Sequence, residues 1–422
     1  MKMIGQRERF ASHLGLERIR HVCAALDNPE RDLQCIHIAG TSGKGSVSVF
    51  LAEVLKRSGL KVGLFTSPHL EHYSERFRIN GIPIDARTLE DVVSRAEQAC
   101  KQVEDAYPHL GPVTEFELAT AAGFLFFQQS EVDLVALETG LGGRLDSTNV
   151  VNPILTVITT IGLDHQDRLG STIQEIAAEK GGIVKPGVPL ISGVQLPLAE
   201  EVLKRIARQN SAPWRSTKDI HWEGHDWSLS GGSLTFPGIG LVQVGLLGHH
   251  QLQNAATALL ALLELNGIGY DIPHQAILDG FHQAVWPGRL EVVSPSPFVL
   301  LDGAHNEEGM DALAQSLHHF LQELGESKFT FLFGMMHNKS LGLLDPLLPL
   351  AKRFVFTTAD SGRLAPMEPG IMVDYVRSHG GVAVGYPGLP EAMADVRGEH
   401  PVCICGSLYL VGSVKRFLHM NA

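Results

Sequence analysis

Cysteine is scarce in this chain of 422 residues: Cys23, Cys35, Cys100, Cys403 and Cys405 are too few and too scattered for a disulfide framework. Cys403 and Cys405 stand two apart in an apolar run that reads as a strand, so buried thiols are expected, not a paired metal-ligand array. Long apolar runs are missing too, and none approaches the roughly 18 residues that a membrane span needs. The opening MKMIGQRERF offers basic residues but no apolar core or small-residue cleavage site after them, so no secretory signal is read and the cytoplasm is the default. Basic charge is in deficit, with 34 Lys and Arg against 46 Asp and Glu and a formal net charge of −12. That balance argues against nucleic acid as the main partner, since binding a phosphate backbone relies on a basic surface. Any anionic substrate must be held by local groups. No self-similarity at a period of about 20 to 50 residues occurs, which excludes a solenoid.

Hydrophobic residues at 44% and charged residues at 19% match a globular chain whose length exceeds what one core usually organises. Two domains are expected. Short apolar runs alternate with segments of helical period, the pattern of parallel sheets covered by helices, which predicts an α/β fold. Strands are read at Leu33 to Ile38, Lys61 to Thr66, from Asp133, from Ile154 and from Pro189. A helix is read over SVSVFLAEVLKRS, with Val47, Leu51, Val54 and Leu55 on one face and Gly59 as its cap. In RFRINGIPI, Asn80-Gly81 between alternating arms is a strong hairpin signal. Short Trp-, Ser- and Gly-containing segments from about Asp219 to Val244 predict a small antiparallel insert. A second alternation follows WPGRL, with FVLLD, KFTFLFG, RFVFTT and VCICG as strands, and Pro287-Gly288 and Pro295-Ser296-Pro297 punctuate the join. The expected architecture is a P-loop-type, mostly parallel sheet domain over residues 1–290 and a smaller C-terminal Rossmann-like α/β domain over 291–422.

The stretch HIAGTSGKGS joins the first strand to the first long helix and sets Lys44 between Gly43 and Gly45. A flexible cation among residues without side chains packs poorly but reaches an anion well. Such a loop exposes backbone N–H groups at the positive end of a helix and suits a nucleotide triphosphate. The pattern G-x-x-x-x-G-K-[ST] is met in part, because Ile38 stands at the first glycine and Gly45 separates Lys44 from Ser46. The loop alone leaves an ATPase, a kinase, a nucleotide switch and a plain surface loop all open.

Further blocks follow in order: TSPHL, ETGLGGRLDSTNVV, TIGLDHQDRLGSTIQEIAAEKGGIVKPG, HHQLQNAATAL, WPGRLE, LDGAHNEEG and GSLYLVG. With GTSGKGS they closely resemble the folylpolyglutamate synthases of the Mur ligase superfamily, from about residue 11 to the last helix. The departures are small: Ser42 where Asn is usual, Glu115 where an aromatic is common, Gly181 for Ala, and Asn338-Lys339-Ser340 for an Asp-Lys-Asp run. None removes an expected catalytic group.

The resemblance implies amide-bond formation driven by ATP: a folate carboxylate is phosphorylated, and the amine of L-glutamate displaces the phosphate. A carboxylate and a γ-phosphate repel each other, so a cationic loop and Mg²⁺ are needed to bring them together. It makes Gly40, Thr41, Ser42, Gly43, Lys44, Gly45 and Ser46 the phosphate loop, with Asn254 at the adenine and Arg289 and Asp302 completing the ATP site. It assigns Ser46, Ser67, Glu138 and His165 to Mg²⁺. Lys44, Lys180 and His305 become catalytic, with Lys180 carbamylated in many relatives; a plain reading instead has Lys180 meeting the dipole at a helix end. The plain alternative for LDGAHN is a helix-capping Asn306 beside a tight turn. Thr114, Arg144 and Asp146 are implied near the folate, whereas Phe116, Ala119, Gly123, Phe124 and Phe127 recur at core spacing. The expected substrates are a folate (dihydropteroate or tetrahydrofolate), L-glutamate and ATP, handled by a monomer without nucleic acid or membrane. The competing classes are a Mur-type ligase with another carboxylate acceptor and a P-loop NTPase without ligase activity.

Overall fold

The computed structural model describes residues 15–358 and 365–420. The opening decapeptide read above lies outside the described residues. Eight strands form the first sheet: β1 (Cys35–Ala39), β2 (Val62–Phe65), β3 (Phe77–Ile79), β4 (Ile82–Pro83), β5 (Leu134–Glu138), β6 (Leu155–Ile158), β7 (Leu190–Ser192) and β8 (Trp214–Ser216). Their order is β4-β3-β2-β5-β1-β6-β7-β8, parallel from β2 to β8 and antiparallel at β2/β3 and β3/β4. The hairpin is where Asn80-Gly81 places it, and both residues take positive φ (51° and 82°), as a type I′ turn requires. Pro83 is tolerated because β4 is an edge strand.

Strands buried on both faces need helices on both sides. On one face the helix Lys44–Arg57 packs with His249–Gly267 and His274–Gln283 around Phe50, Leu51, Val54 and Leu259. It begins at Lys44, two residues before the predicted start, and buries Val49 and Phe50 as well as the predicted face. On the other face the helices Glu17–Ala25, Ala86–Ala106 and Glu115–Gln129 enclose Phe65, Phe77, Phe124 and Phe127. The Phe116–Phe127 stripe is therefore core, with Phe116 only partly buried.

The insert is a three-stranded antiparallel sheet of β9 (Glu223–Ser228), β10 (Gly231–Phe236) and β11 (Gly240–Val244). The second domain holds β12 (Glu291–Pro295), β13 (Phe298–Leu301), β14 (Phe329–Phe333), β15 (Ala351–Phe356), β16 (Ala383–Gly385) and β17 (Val402–Cys405). Their order is β12-β13-β17-β14-β15-β16, parallel except at β12/β13. Strands β8, β12 and β16 were not read from the sequence. All five cysteines are free and buried, as expected. No helix among the described residues is long and apolar enough to cross a membrane.

Candidate active site

In open parallel sheets the carboxyl ends of the strands present loops to one edge, and ligands bind there. The edge here is a cleft between the domains, walled by the loops after β1, β2, β5 and β6 from the first domain and the loop after β13 from the second. The loop after β1 is the glycine stretch. Gly43 caps the following helix at φ +83°, and a Cβ there would come 2.2 Å from Asn254 Oδ1. Only glycine fits. A Cβ on Gly40 would meet Thr159 Oγ1, and the Thr159 hydroxyl donates to the Ser42 carbonyl at 2.6 Å. The loop is thus held by β6 on one side and the helix His249–Gly267 on the other. Asn254 itself bonds Gln251 at 3.0 Å.

Lys44 Nζ donates to the carbonyls of Gly40 (3.0 Å) and Thr41 (3.2 Å). Lys180 Nζ, buried, donates to the same Gly40 oxygen at 2.8 Å. The helix-end reading of Lys180 is corrected here: it sits in the last turn of Ile173–Gly181, but its ammonium leaves that helix for the glycine loop. Burial, and then Lys44, lowers the Lys180 pKa to about 7, against Asp164, Asp146 and Glu308.

Glu138 ends β5 with a buried carboxylate. Its single hydrogen bond among the described residues comes from the Ser67 N–H, at 3.1 Å. Burial raises its pKa to about 7, although Lys44, the Ser67 N–H and Arg289 oppose the rise. Ser46, Ser67 and His165 line the same cleft. His165 takes a left-handed conformation (φ 49°) beside Asp164, and desolvation by the surrounding wall lowers its pKa despite that neighbour. A desolvated carboxylate short of donors, in one cleft with two hydroxyls and an imidazole, suits a divalent cation by its donor chemistry, although no group of three His, Cys, Asp or Glu side chains is gathered for a metal among the described residues.

From the second domain, Asp302 follows β13 and accepts N–H bonds from Leu290 and Ala304, both at 2.8 Å. Burial raises its pKa against Arg289. His305 Nδ1 donates to the Gly303 carbonyl at 2.8 Å, which leaves Nε2 as the bare nitrogen of the neutral ring. Burial lowers this ring's pKa to about 4. Arg289 lines the cleft from the join. Asn306 is the helix cap and also crosses the cleft: Oδ1 caps the helix Glu307–Leu324, and Nδ2 donates to Asp164 at 3.0 Å.

Three residues implied near the folate lie outside the cleft lining. Thr114 caps the helix Glu115–Gln129 in a reciprocal box with Glu117, which is ion-paired with Arg18 at 2.9 Å. Arg144 is paired with Glu179 at 2.8 Å. The Asp146 carboxylate is filled by the N–H groups of Gly140, Leu141 and Thr148 and by the Thr148 hydroxyl. It ties down the cleft loop that follows Glu138. Conversely, Thr159, Gln251, Trp286 and Glu308 adjoin the glycine loop and were not singled out beforehand. Trp286 stands beside the Pro-Gly turn, Thr159 at a strand end, Gln251 within HHQLQNAATAL and Glu308 within LDGAHNEEG, which are usable signals.

Residues 38–262 match the Mur ligase middle domain, and residues 288–408 match the Mur ligase glutamate ligase domain. The chain belongs to the Mur ligase family. It is 40% identical over 344 residues to a dihydrofolate synthase/folylpolyglutamate synthase of Bacillus subtilis, covering 79% of this chain and 78% of that one. Among solved structures, the Mycobacterium tuberculosis folylpolyglutamate synthase complexed with ADP and AMPPCP superposes with a TM-score of 0.88 at 28% identity, over 99% of this chain and 96% of that one. Escherichia coli FolC in complex with DHPP and ADP gives 0.85 at 27% identity, over 100% and 97%. Within the family, the likeness extends over both domains and singles out the folylpolyglutamate synthase branch, as the sequence blocks implied.

Proposed function

We propose that this chain is an ATP-dependent ligase that adds L-glutamate to folates through an acyl phosphate. One observation carries the reading: a single cleft gathers a glycine loop with its lysine, a desolvated carboxylate short of donors, and polar groups of the second domain. The domain boundary we propose falls at residues 290/291, where the chain leaves the Pro-Gly turn for β12.

In this reading the folate carboxylate attacks the γ-phosphorus and ADP leaves. The α-amine of glutamate then attacks the acyl carbon, phosphate leaves with the bonding pair, and the new amide loses a proton. Lys44 exchanges its carbonyl partners for phosphate oxygens and offsets charge as the anions approach. The loop N–H groups of Gly40 to Ser46 cradle the same phosphates, with Asn254 against the adenine and Arg289 and Asp302 closing the nucleotide site. Ser46, Ser67, Glu138 and His165 would hold Mg²⁺, which neutralises phosphate charge when bound. His305 keeps Nε2 free to accept a hydrogen bond from a substrate N–H. Lys180, half neutral near pH 7, is suited to carbamylation, and the carbamate would supply an anion beside the glycine loop. Asp146 and Arg144 act behind the wall, through the loop that Asp146 ties. Since both halves of the cleft come from one chain, the enzyme works as a monomer, and we place it in the cytoplasm, where ATP is plentiful.

The test is ADP release with ATP alone, with ATP and tetrahydrofolate, and with ATP, tetrahydrofolate and L-glutamate. Release that needs both acceptors is expected; equal release with ATP alone would make the chain an NTPase. Dihydrofolate synthase activity is a second reading, favoured by the double name of the B. subtilis relative and by the DHPP bound to FolC. Dihydropteroate supplied with ATP, Mg²⁺ and L-glutamate should then yield dihydrofolate, and its absence beside strong tetrahydrofolate glutamylation would remove this activity alone.

A further inference from the structure

The second domain reaches the glycine loop with an anion of its own. Glu308, exposed in the first turn of the helix Glu307–Leu324, accepts a hydrogen bond from Ser42 Oγ at 2.7 Å, across 266 residues of sequence. A Cβ on Gly162 would meet the same carboxylate at 3.1 Å, so Glu308 also leans on the loop after β6. Beside it, Asn306 bonds Asp164. These two contacts join the domains on one side of the cleft.

The place where this carboxylate sits is what matters. Lys44 and Lys180 both donate to the Gly40 carbonyl, and neither makes an ion pair among the described residues. A carboxylate therefore stands at the mouth of a cationic loop, bonded to a hydroxyl within that loop. Its field extends inward, since Glu308 is one of the anions that favour the charged form of Lys180. An incoming polyphosphate is repelled by this carboxylate and competes with it for the Ser42 hydroxyl.

We propose that Glu308 is an internal counter-anion of the glycine loop, whose bond to Ser42 competes with incoming phosphates and gives way as they enter. This rests on the ATP-binding reading of the loop. It also makes Ser42, the residue that departs from the family's usual Asn, one half of a cross-domain contact.

The test is calorimetric titration of ADP and ATP into wild type, Glu308→Gln, Glu307→Gln and Lys44→Ala at low and moderate salt. Glu308→Gln keeps an oxygen for Ser42 and removes the charge. Glu307→Gln removes the same charge from the same helical turn, where Glu307 is exposed and makes no hydrogen bond or ion pair among the described residues. Glu308→Gln should bind both nucleotides about 3- to 10-fold more tightly, ATP gaining more than ADP, with the gain shrinking as salt screens it. Glu307→Gln should stay within about 2-fold of wild type. Glu308→Gln matching Glu307→Gln, or binding more weakly than wild type, overturns the proposal while Lys44→Ala still reports on the loop. If wild type binds neither nucleotide, the loop reading falls and this inference falls with it.

Discussion

Replacing Glu138 by Gln should make the metal-free protein more stable, even though it should abolish turnover. Burial raises this carboxyl from its ordinary 4.5 to about 7. Between those values the folded chain holds a proton that the unfolded chain has released. Stability from this group is therefore complete below about pH 4.5 and is lost as pH rises through about 7. At pH 8 the ionised, desolvated carboxylate costs the folded state about 3 kcal/mol relative to a neutral amide of the same shape. At pH 5 the cost falls below about 1 kcal/mol. The amide oxygen can still accept from the Ser67 N–H, and the new NH₂ group belongs to a residue that lines the cleft, where water can accept from it. The assay is thermal unfolding of wild type and Glu138→Gln at pH 5 and pH 8, in chelator and then in excess Mg²⁺. In chelator the variant should melt several degrees higher at pH 8 and nearly level with wild type at pH 5. Mg²⁺ should raise the wild-type midpoint and leave the variant unmoved. A variant no more stable than wild type at pH 8, or equally stabilised at both pH values, would refute the reasoning that Glu138 is a carboxylate kept unpaired for a cation.

Three further outcomes follow from the same geometry. Lys44→Ala should lower turnover at least about 100-fold with little change in melting, because Lys44 bonds only two loop carbonyls and fills no core; near-normal activity would remove the phosphate role. Gly43→Ala should cost about 1–3 kcal/mol and most of the nucleotide affinity, since its Cβ would strike Asn254 at a positive φ, and an unchanged ADP titration would contradict this. Lys180, with its pKa near 7, should gain the mass of one CO₂ in bicarbonate more readily at pH 8 than at pH 6, and Lys180→Ala should be inactive but partly rescued by small carboxylates; an unmodified lysine in fully active enzyme would exclude the carbamate.

Much of the fold is legible because each buried parallel strand is a short apolar run stopped by a loop, and β1, β2, β5, β6, β7, β13, β14, β15 and β17 all announce themselves this way. The strands that escaped are of another kind. β8 and β16 are three-residue edge strands, and β12 carries no apolar run of its own. The helix start at Lys44 was invisible for a backbone reason: it depends on the left-handed Gly43, which holds Asn254 against the loop from 211 positions away.

The site divides along the same line. A polar residue that ends an apolar strand, such as Glu138 or Asp302, is marked locally, since the strand that ends there dictates which edge it faces. Thr114 and Asp146 bear the same local mark, a polar residue before a helical turn, yet their oxygens are consumed by backbone N–H groups. Sequence cannot separate a cap from a ligand, because both exploit the same unsatisfied donors at a helix start. Lys180 shows the reverse case. Its position at a helix end suggests a dipole partner, and only the parallel packing of β1 beside β6 brings Gly40 close enough to claim the ammonium instead. The Ser42–Glu308 contact lies further still beyond local signals, since it exists only where loops of the two sheets face each other across the cleft. What a sequence of this kind conceals is therefore the closure of the site: each domain spells out its own strand ends, while the charge balance of the glycine loop is settled by a residue from the other domain.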